Sequence, residues 1–214
     1  MKILNLYAGI GGNRKLWGDE HEITAVEYNK EVADVYKIFF PNDNVIVADA
    51  HEYLLEHVSE YDFIWSSPPC PTHSRMRILM AEQEGKKFKF PDMKLWEEII
   101  FLQHFSKGKY VVENVVTYYK PFVIPKKLGN HYYWSNFNLG DIKETARNLI
   151  RMKQDDKIKE KSLKFGYNFE GLNLKKSQIL KMLDNCVEPK TGLHILDCAM
   201  NVLRNENTEQ TKLF

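Results

Sequence analysis

Short apolar runs and helically spaced apolar positions take turns along this chain. Lys2 to Tyr7, Glu22 to Tyr28, Val45 to Asp49, Tyr61 to Ser67 and Lys109 to Val112 read as buried strands. Between them, Asn29 caps a predicted helix to Phe40, with Val32, Val35, Tyr36 and Phe39 at helical spacing, stopped by Pro41. A second predicted helix runs from Asp49 to about Val58. A third, Asp92 to Ser106, offers Leu95, Trp96, Ile99, Ile100 and Leu102 to a core. Strand–helix alternation of this kind predicts an α/β domain with a mostly parallel sheet flanked by helices. Tyr132 to Phe137 adds an aromatic strand, Ser177 is placed to cap Gln178 to Leu183, and a last helix is expected from about Thr191 to Arg204.

The strand ends carry the chemistry. The first strand runs into Ala8-Gly9-Ile10-Gly11-Gly12-Asn13, a glycine loop that turns sharply and admits a ligand close to the backbone, with a helix expected from Asn13. Glu27 and Asp49 end the second and third strands. A carboxylate in the first place can accept both protons of a ribose diol, and Asp49 reads either as a partner for an adenine amine or as a helix cap. The fourth strand ends at Ser66-Ser67-Pro68-Pro69-Cys70-Pro71, where two prolines force the chain out of the sheet and deliver a thiol on a stiff loop. A free cysteine is often only a small buried hydrophobe. Here it shares the carboxyl rim of a parallel sheet with the glycine loop, Glu27, Asp49 and Glu113, the place where open α/β sheets hold ligands.

Composition narrows the setting. The 214 residues, 43% hydrophobic and 13% aromatic, suffice for one core. No leader peptide and no apolar run of about 20 residues is evident, so a soluble, cytoplasmic protein is expected, in a host cytoplasm if phage-encoded. Three cysteines, Cys70, Cys186 and Cys198, suit neither a disulfide framework nor a zinc site, and no metal is implied. The net charge of +1 hides an acidic stretch to residue 69 and a basic one from 120 to 182. Such a division suits a nucleic-acid enzyme, and equally a lysine-rich solvated face. Pro71 to Pro91, with Arg75, Arg77, Lys86, Lys87 and Lys89, reads as a basic lid beside the thiol.

On these motifs the chain resembles the cytosine-C5 DNA methyltransferase family, most of all its compact, phage-type members. Tyr7-Ala8-Gly9-Ile10-Gly11-Gly12 is similar to that family's cofactor loop, Pro69-Cys70 to its catalytic pair, Glu113-Asn114-Val115 to its Glu-Asn-Val motif, and Asn185-Cys186-Val187-Glu188-Pro189 to its late pocket-closing element. The resemblance implies a Rossmann-like class I fold dependent on S-adenosylmethionine, with S-adenosylhomocysteine as product. It implies Cys70, Glu113 and Asn114 as catalytic residues. Tyr7, Gly9, Gly11, Gly12, Glu27, Tyr28, Asp49, Ala50, Pro68, Asn185 and Val187 would hold the cofactor, and Arg75, Arg77, Lys86 and Lys87 would contact nucleic acid. Cys70 would add to C6 of a flipped cytosine while Glu113 serves N3 and the N4 amine.

The chain departs from that family at three places. Pro71 follows the cysteine where DNA-directed members usually have Gln, and Ser67-Pro68-Pro69-Cys70 resembles the tRNA-directed branch as much. Gly129 and His131 stand where an arginine motif is expected, with Arg75 a candidate replacement. The segment before Ser177 is short for target recognition, which a protein partner would then supply. The expected division is a catalytic and cofactor core at 1–139, a basic recognition segment at 140–176, and core-completing helices at 177–214. DNA is the expected substrate and RNA the alternative. A catalytically silent binding subunit and an amino-methyltransferase are the competing readings; in the latter, Cys70 replaces the expected aromatic.

Overall fold

The computed structural model describes residues 1–75, 90–141 and 153–202. Strands β1 (Lys2–Leu6), β2 (Glu22–Glu27), β3 (Asn44–Val47), β4 (Phe63–Ser66), β5 (Lys109–Val115), β6 (Lys126–Leu128) and β7 (His131–Ser135) form one sheet in the order β3-β2-β1-β4-β5-β7-β6. The first five pair parallel, whereas β7 runs antiparallel to both β5 and β6. This is the α/β, mostly parallel architecture the sequence predicts. The strand order reverses between β1 and β4, and in such sheets the crevice beyond the strand ends at that point receives the ligand.

Period-two alternation assigns the helices to faces. Leu4, Leu6, Ile64, Val112 and Trp134 point to one side, where they meet α2 (Ala50–His57) and α3 (Lys94–Phe105) through Leu54, Leu95, Trp96, Ile99 and Leu102. Ile3, Phe63, Trp65, Val111 and Tyr133 point to the other, against Ile195, Leu196 and Ala199 of a C-terminal helix, Pro189–Met200. Around Ala8, Ile10 and Ala25 gather α1 (Lys30–Phe39) and two further helices, α4 (Gln154–Phe165) and α5 (Lys176–Asp184). The C-terminal helix is therefore α6.

Several expected boundaries move, each for a local reason. No helix starts at Asn13: residues 13–16 make a single 3-10 turn. Gly18, in the left-handed region at φ 83°, follows too soon for a longer one, and Arg14 turns inward to a bidentate bond with buried Asp43 at 2.9 and 3.1 Å. β5 continues through Glu113-Asn114-Val115 because β7 pairs with that motif residue by residue. Lys175, not Ser177, is the N-cap of α5, where the Gln178 side chain accepts from the Lys175 N–H at 2.7 Å. α6 stops at Met200 instead of Arg204, since Asn201 adopts the left-handed conformation and Val202 N–H returns to the Asp197 carbonyl at 2.9 Å. The short β6 and the lysine-rich α4 were not expected. Asn29 caps α1 as expected, accepting from Val32 N–H at 3.2 Å.

Candidate active site

β4 ends with Ser66 fully buried, and the next residues leave the sheet as the prolines dictate. The loop is pinned on both sides. Asn114 in β5 donates its side-chain N–H to the Pro68 carbonyl at 2.9 Å. After Cys70 the chain turns back at once, His73 and Ser74 N–H donating to the Cys70 carbonyl at 3.0 and 3.2 Å. His73 and Ser74 then join the segment after β5, through Tyr118 N–H to the His73 carbonyl at 3.2 Å and a bridge between Ser74 and Thr117. Cys70 is thus a half-buried thiol on a short tethered loop.

Glu113 lies close enough to Cys70 for their charges to interact. Burial first, and then the Glu113 carboxylate, push the Cys70 thiol above its ordinary value. Glu113 is itself buried, and burial raises its carboxyl, opposed by His131 and by a hydrogen bond with Ser67. The His131 ring nitrogen Nε2 lies 3.6 Å from Glu113 Oε1. A protonated carboxyl beside a thiol can donate a hydrogen bond to a ring nitrogen while the thiol acts as nucleophile. His131 occupies the place where the arginine motif was expected, while Arg75 is exposed at the edge of the described chain. Arg77, Lys86 and Lys87 lie outside the described residues.

The glycine loop lies across the switch point from this pair. Tyr7 and Gly9 have φ of 54° and 56°, and at Gly9 no atom lies within 4 Å of where a Cβ would be. Gly11 instead faces the rings of Tyr36 and Phe40, and Gly12 faces the Val187 carbonyl, 2.5 Å from where its Cβ would sit. Val187 thereby brings the late motif to the loop, although Asn185 beside it is exposed. Glu27 accepts from Gly9 N–H and Asn29 N–H, both at 2.9 Å, which leaves its carboxylate further lone pairs for hydroxyls. Tyr28 presents a ring 78% exposed. Asp49 caps α2, its Oδ1 accepting from His51 and Glu52 N–H at 2.9 and 3.2 Å, while Oδ2 stands 3.9 Å from Lys94 Nζ. Ala50 is buried behind it. A cleft lined by Tyr7, Asp49, Pro68, Pro69, His73 and Lys94 joins these residues to the proline–cysteine loop.

Sequence reasoning missed Glu98. Its side chain is fully buried and accepts from the Tyr7 hydroxyl, from the Ser66 hydroxyl at 2.7 Å and from His51 Nδ1 at 3.1 Å. The signal was a carboxylate on the core stripe of a helix, three residues after Leu95 and four before Leu102. Among the described residues, no cluster of His, Cys, Asp and Glu is arranged to hold a metal, and no helix is long and apolar enough to cross a membrane.

Residues 1–121 match the family model described as C-5 cytosine-specific DNA methylase. Over 95 residues the chain is 34% identical to a tRNA (cytosine(38)-C(5))-methyltransferase of Spodoptera frugiperda, a match covering 42% of this chain and 29% of that protein. The chain therefore spans under a third of that relative's length. The solved Entamoeba histolytica methyltransferase EhMeth superposes with a TM-score of 0.58 at 10% identity, covering 96% of this chain and 99% of the other, a likeness of fold.

Proposed function

The chain belongs to the C-5 cytosine-specific DNA methylase family, and from that premise we propose that it methylates C5 of cytosine in DNA, with Cys70 as covalent nucleophile. The observation that carries the reading is the tethering of the Cys70 loop to the Glu113–Asn114 strand, which holds a thiol and a buried carboxyl at one rim. The cofactor is S-adenosylmethionine. The open backbone at Gly9, the exposed Tyr28 ring, Glu27 and the Asp49 Oδ2 fit a nucleoside-bearing ligand that spans toward Pro68. When bound, S-adenosylmethionine supplies an electrophilic methyl group.

The protein's own residues prepare the base to receive it. Cys70 loses its proton and its sulfur forms a bond to C6, so that electron density moves into the ring and C5 becomes enamine-like. Glu113, whose carboxyl burial raises, donates to N3 in its protonated form and offsets the charge that develops there. Asn114 orients the Pro68–Cys70 segment through its bond to the Pro68 carbonyl. Once C5 has received the methyl group, its proton passes to solvent water, the electron pair of that C–H bond restores the ring double bond, and the C6–sulfur bond breaks as the thiolate departs. A base stacked in a duplex must be extruded to reach a thiol so placed.

tRNA is the second reading, favoured by the activity named for the Spodoptera relative. Trapping separates the two. With S-adenosylmethionine and 5-fluorocytosine oligonucleotides, fluorine cannot leave as a proton does, so the protein is expected to stall as a denaturation-resistant adduct on DNA. Cys70→Ala should abolish that adduct. Capture of RNA alone would overturn the DNA assignment, and no adduct on either pool would overturn the enzymatic reading.

A further inference from the structure

We propose that Glu98, which lies in none of the motifs above, is a positioning residue for cofactor binding that acts through the Tyr7 hydroxyl. A carboxylate with its side chain fully buried destabilises the fold unless donors surround it, and an apolar side chain of similar size is frequently no worse for stability. Here the donors come from three separate elements. Tyr7 follows β1 and opens the glycine loop, Ser66 ends β4 just before the proline–cysteine segment, and His51 lies in the first turn of α2, two residues after Asp49. One side chain of α3 thus ties together the three segments whose ends form the cleft.

Tyr7 is where this connection meets the ligand. It lines the cleft with Asp49, Pro68 and Pro69, and its backbone is left-handed at φ 54°. A residue other than glycine is strained in that conformation, and such strain persists only where the surroundings over-determine it. The bond from the Tyr7 hydroxyl to Glu98 is such a restraint. It fixes the ring from its far end, and with it the backbone that leads into Ala8 and Gly9. Glu98 itself stays behind the ring and touches no ligand.

The inference rests on the reading that this cleft holds the cofactor, and the test separates the two. S-adenosylhomocysteine binding is measured by titration calorimetry, alongside thermal unfolding, for wild type, Tyr7→Phe, Glu98→Met and the double variant. Each single change is expected to weaken binding about tenfold, the worth of one hydrogen bond to a charged group. The double variant should bind no more weakly than the Glu98 variant alone, instead of losing a further tenfold, because Tyr7→Phe removes a bond that the change at Glu98 has already broken. Unchanged binding in Tyr7→Phe, or losses that multiply, would overturn the inference. Tyr7→Phe removes a single oxygen, so it decides the question even if Glu98→Met fails to fold. Wild type that does not bind S-adenosylhomocysteine would instead overturn the cofactor reading, and this inference with it.

Discussion

In the proposed reaction Cys70 and Glu113 take opposite protonation states, yet burial raises both. The thiol must ionise while its neighbour keeps a proton, and the negative charge of an ionised Glu113 works against the thiolate. Replacing the carboxyl by an amide removes that charge and leaves the desolvation in place. In Glu113→Gln, the pH midpoint for alkylation of Cys70 by iodoacetamide, followed by mass spectrometry of its peptide, is expected to shift downward, still above the ordinary thiol value. Methyl transfer should nevertheless fall by about 10²–10⁴-fold, the usual loss of a general acid. A faster-reacting thiol in a slower enzyme distinguishes loss of the acid from damage to the nucleophile. An upward shift of the midpoint would show that Glu113 does not oppose the thiolate.

The elements around the cleft are held by polar contacts that give α2 and α3 a pH-dependent seam. The hydrogen bond to Glu98 raises His51 above the ordinary histidine value, against burial and the Lys94 charge and with help from Glu97. A histidine raised on folding stabilises the protein fully below its unfolded pKa of about 6.5, and that contribution is lost as pH rises through the folded value. The difference in unfolding midpoint between wild type and His51→Asn should therefore be largest below about pH 6.5 and shrink above it. A difference that is flat with pH would place the stabilisation elsewhere. The glycine loop and the segment before α6 meet as closely: at Gly12 a Cβ would lie 2.5 Å from the Val187 carbonyl and 2.9 Å from the Cys186 Cβ. Gly12→Ala should lose about 1–3 kcal/mol in urea unfolding, the cost of overpacking. An unchanged urea midpoint would mean that the segment before α6 yields freely.

Across the molecule, the segment from 153 to 188 is bound up with the glycine-loop end of the sheet. Phe165, Tyr167 and Phe169 pack with Ala8, Ile10 and Tyr36, the Tyr167 hydroxyl donates to the Ile10 carbonyl at 3.0 Å, and Lys15 Nζ lies 4.6 Å from the centre of the Tyr167 ring. Two lysines of α4 are paired with acids from α5 and from the start of α6, Lys161 with Asp184 and Lys164 with Glu188, the latter at 3.2 Å. Sequence periodicity did not disclose this packing. α4 buries Phe165 at its last position, and its other apolar residues are too few to mark a stripe.

The sequence alone determined the five central strands, the helices α1 to α3, and the residue types at each strand end. Those signals are local: alternation, helical spacing, prolines that end a strand, and a glycine cluster that permits a turn. It also placed Cys70 and Glu113 at one edge, because parallel strands leave their carboxyl ends on the same side. Tertiary structure alone decided which groups meet there. Tyr7 reaches Glu98 across 91 residues and Asn114 reaches Pro68 across 46, distances over which no spacing rule operates. It decided, too, that Asp49 caps α2 and that His131 stands beside Glu113. Above all it set the proton affinities of Cys70 and Glu113, since desolvation and the fields of neighbouring charges exist only once the chain has closed around them.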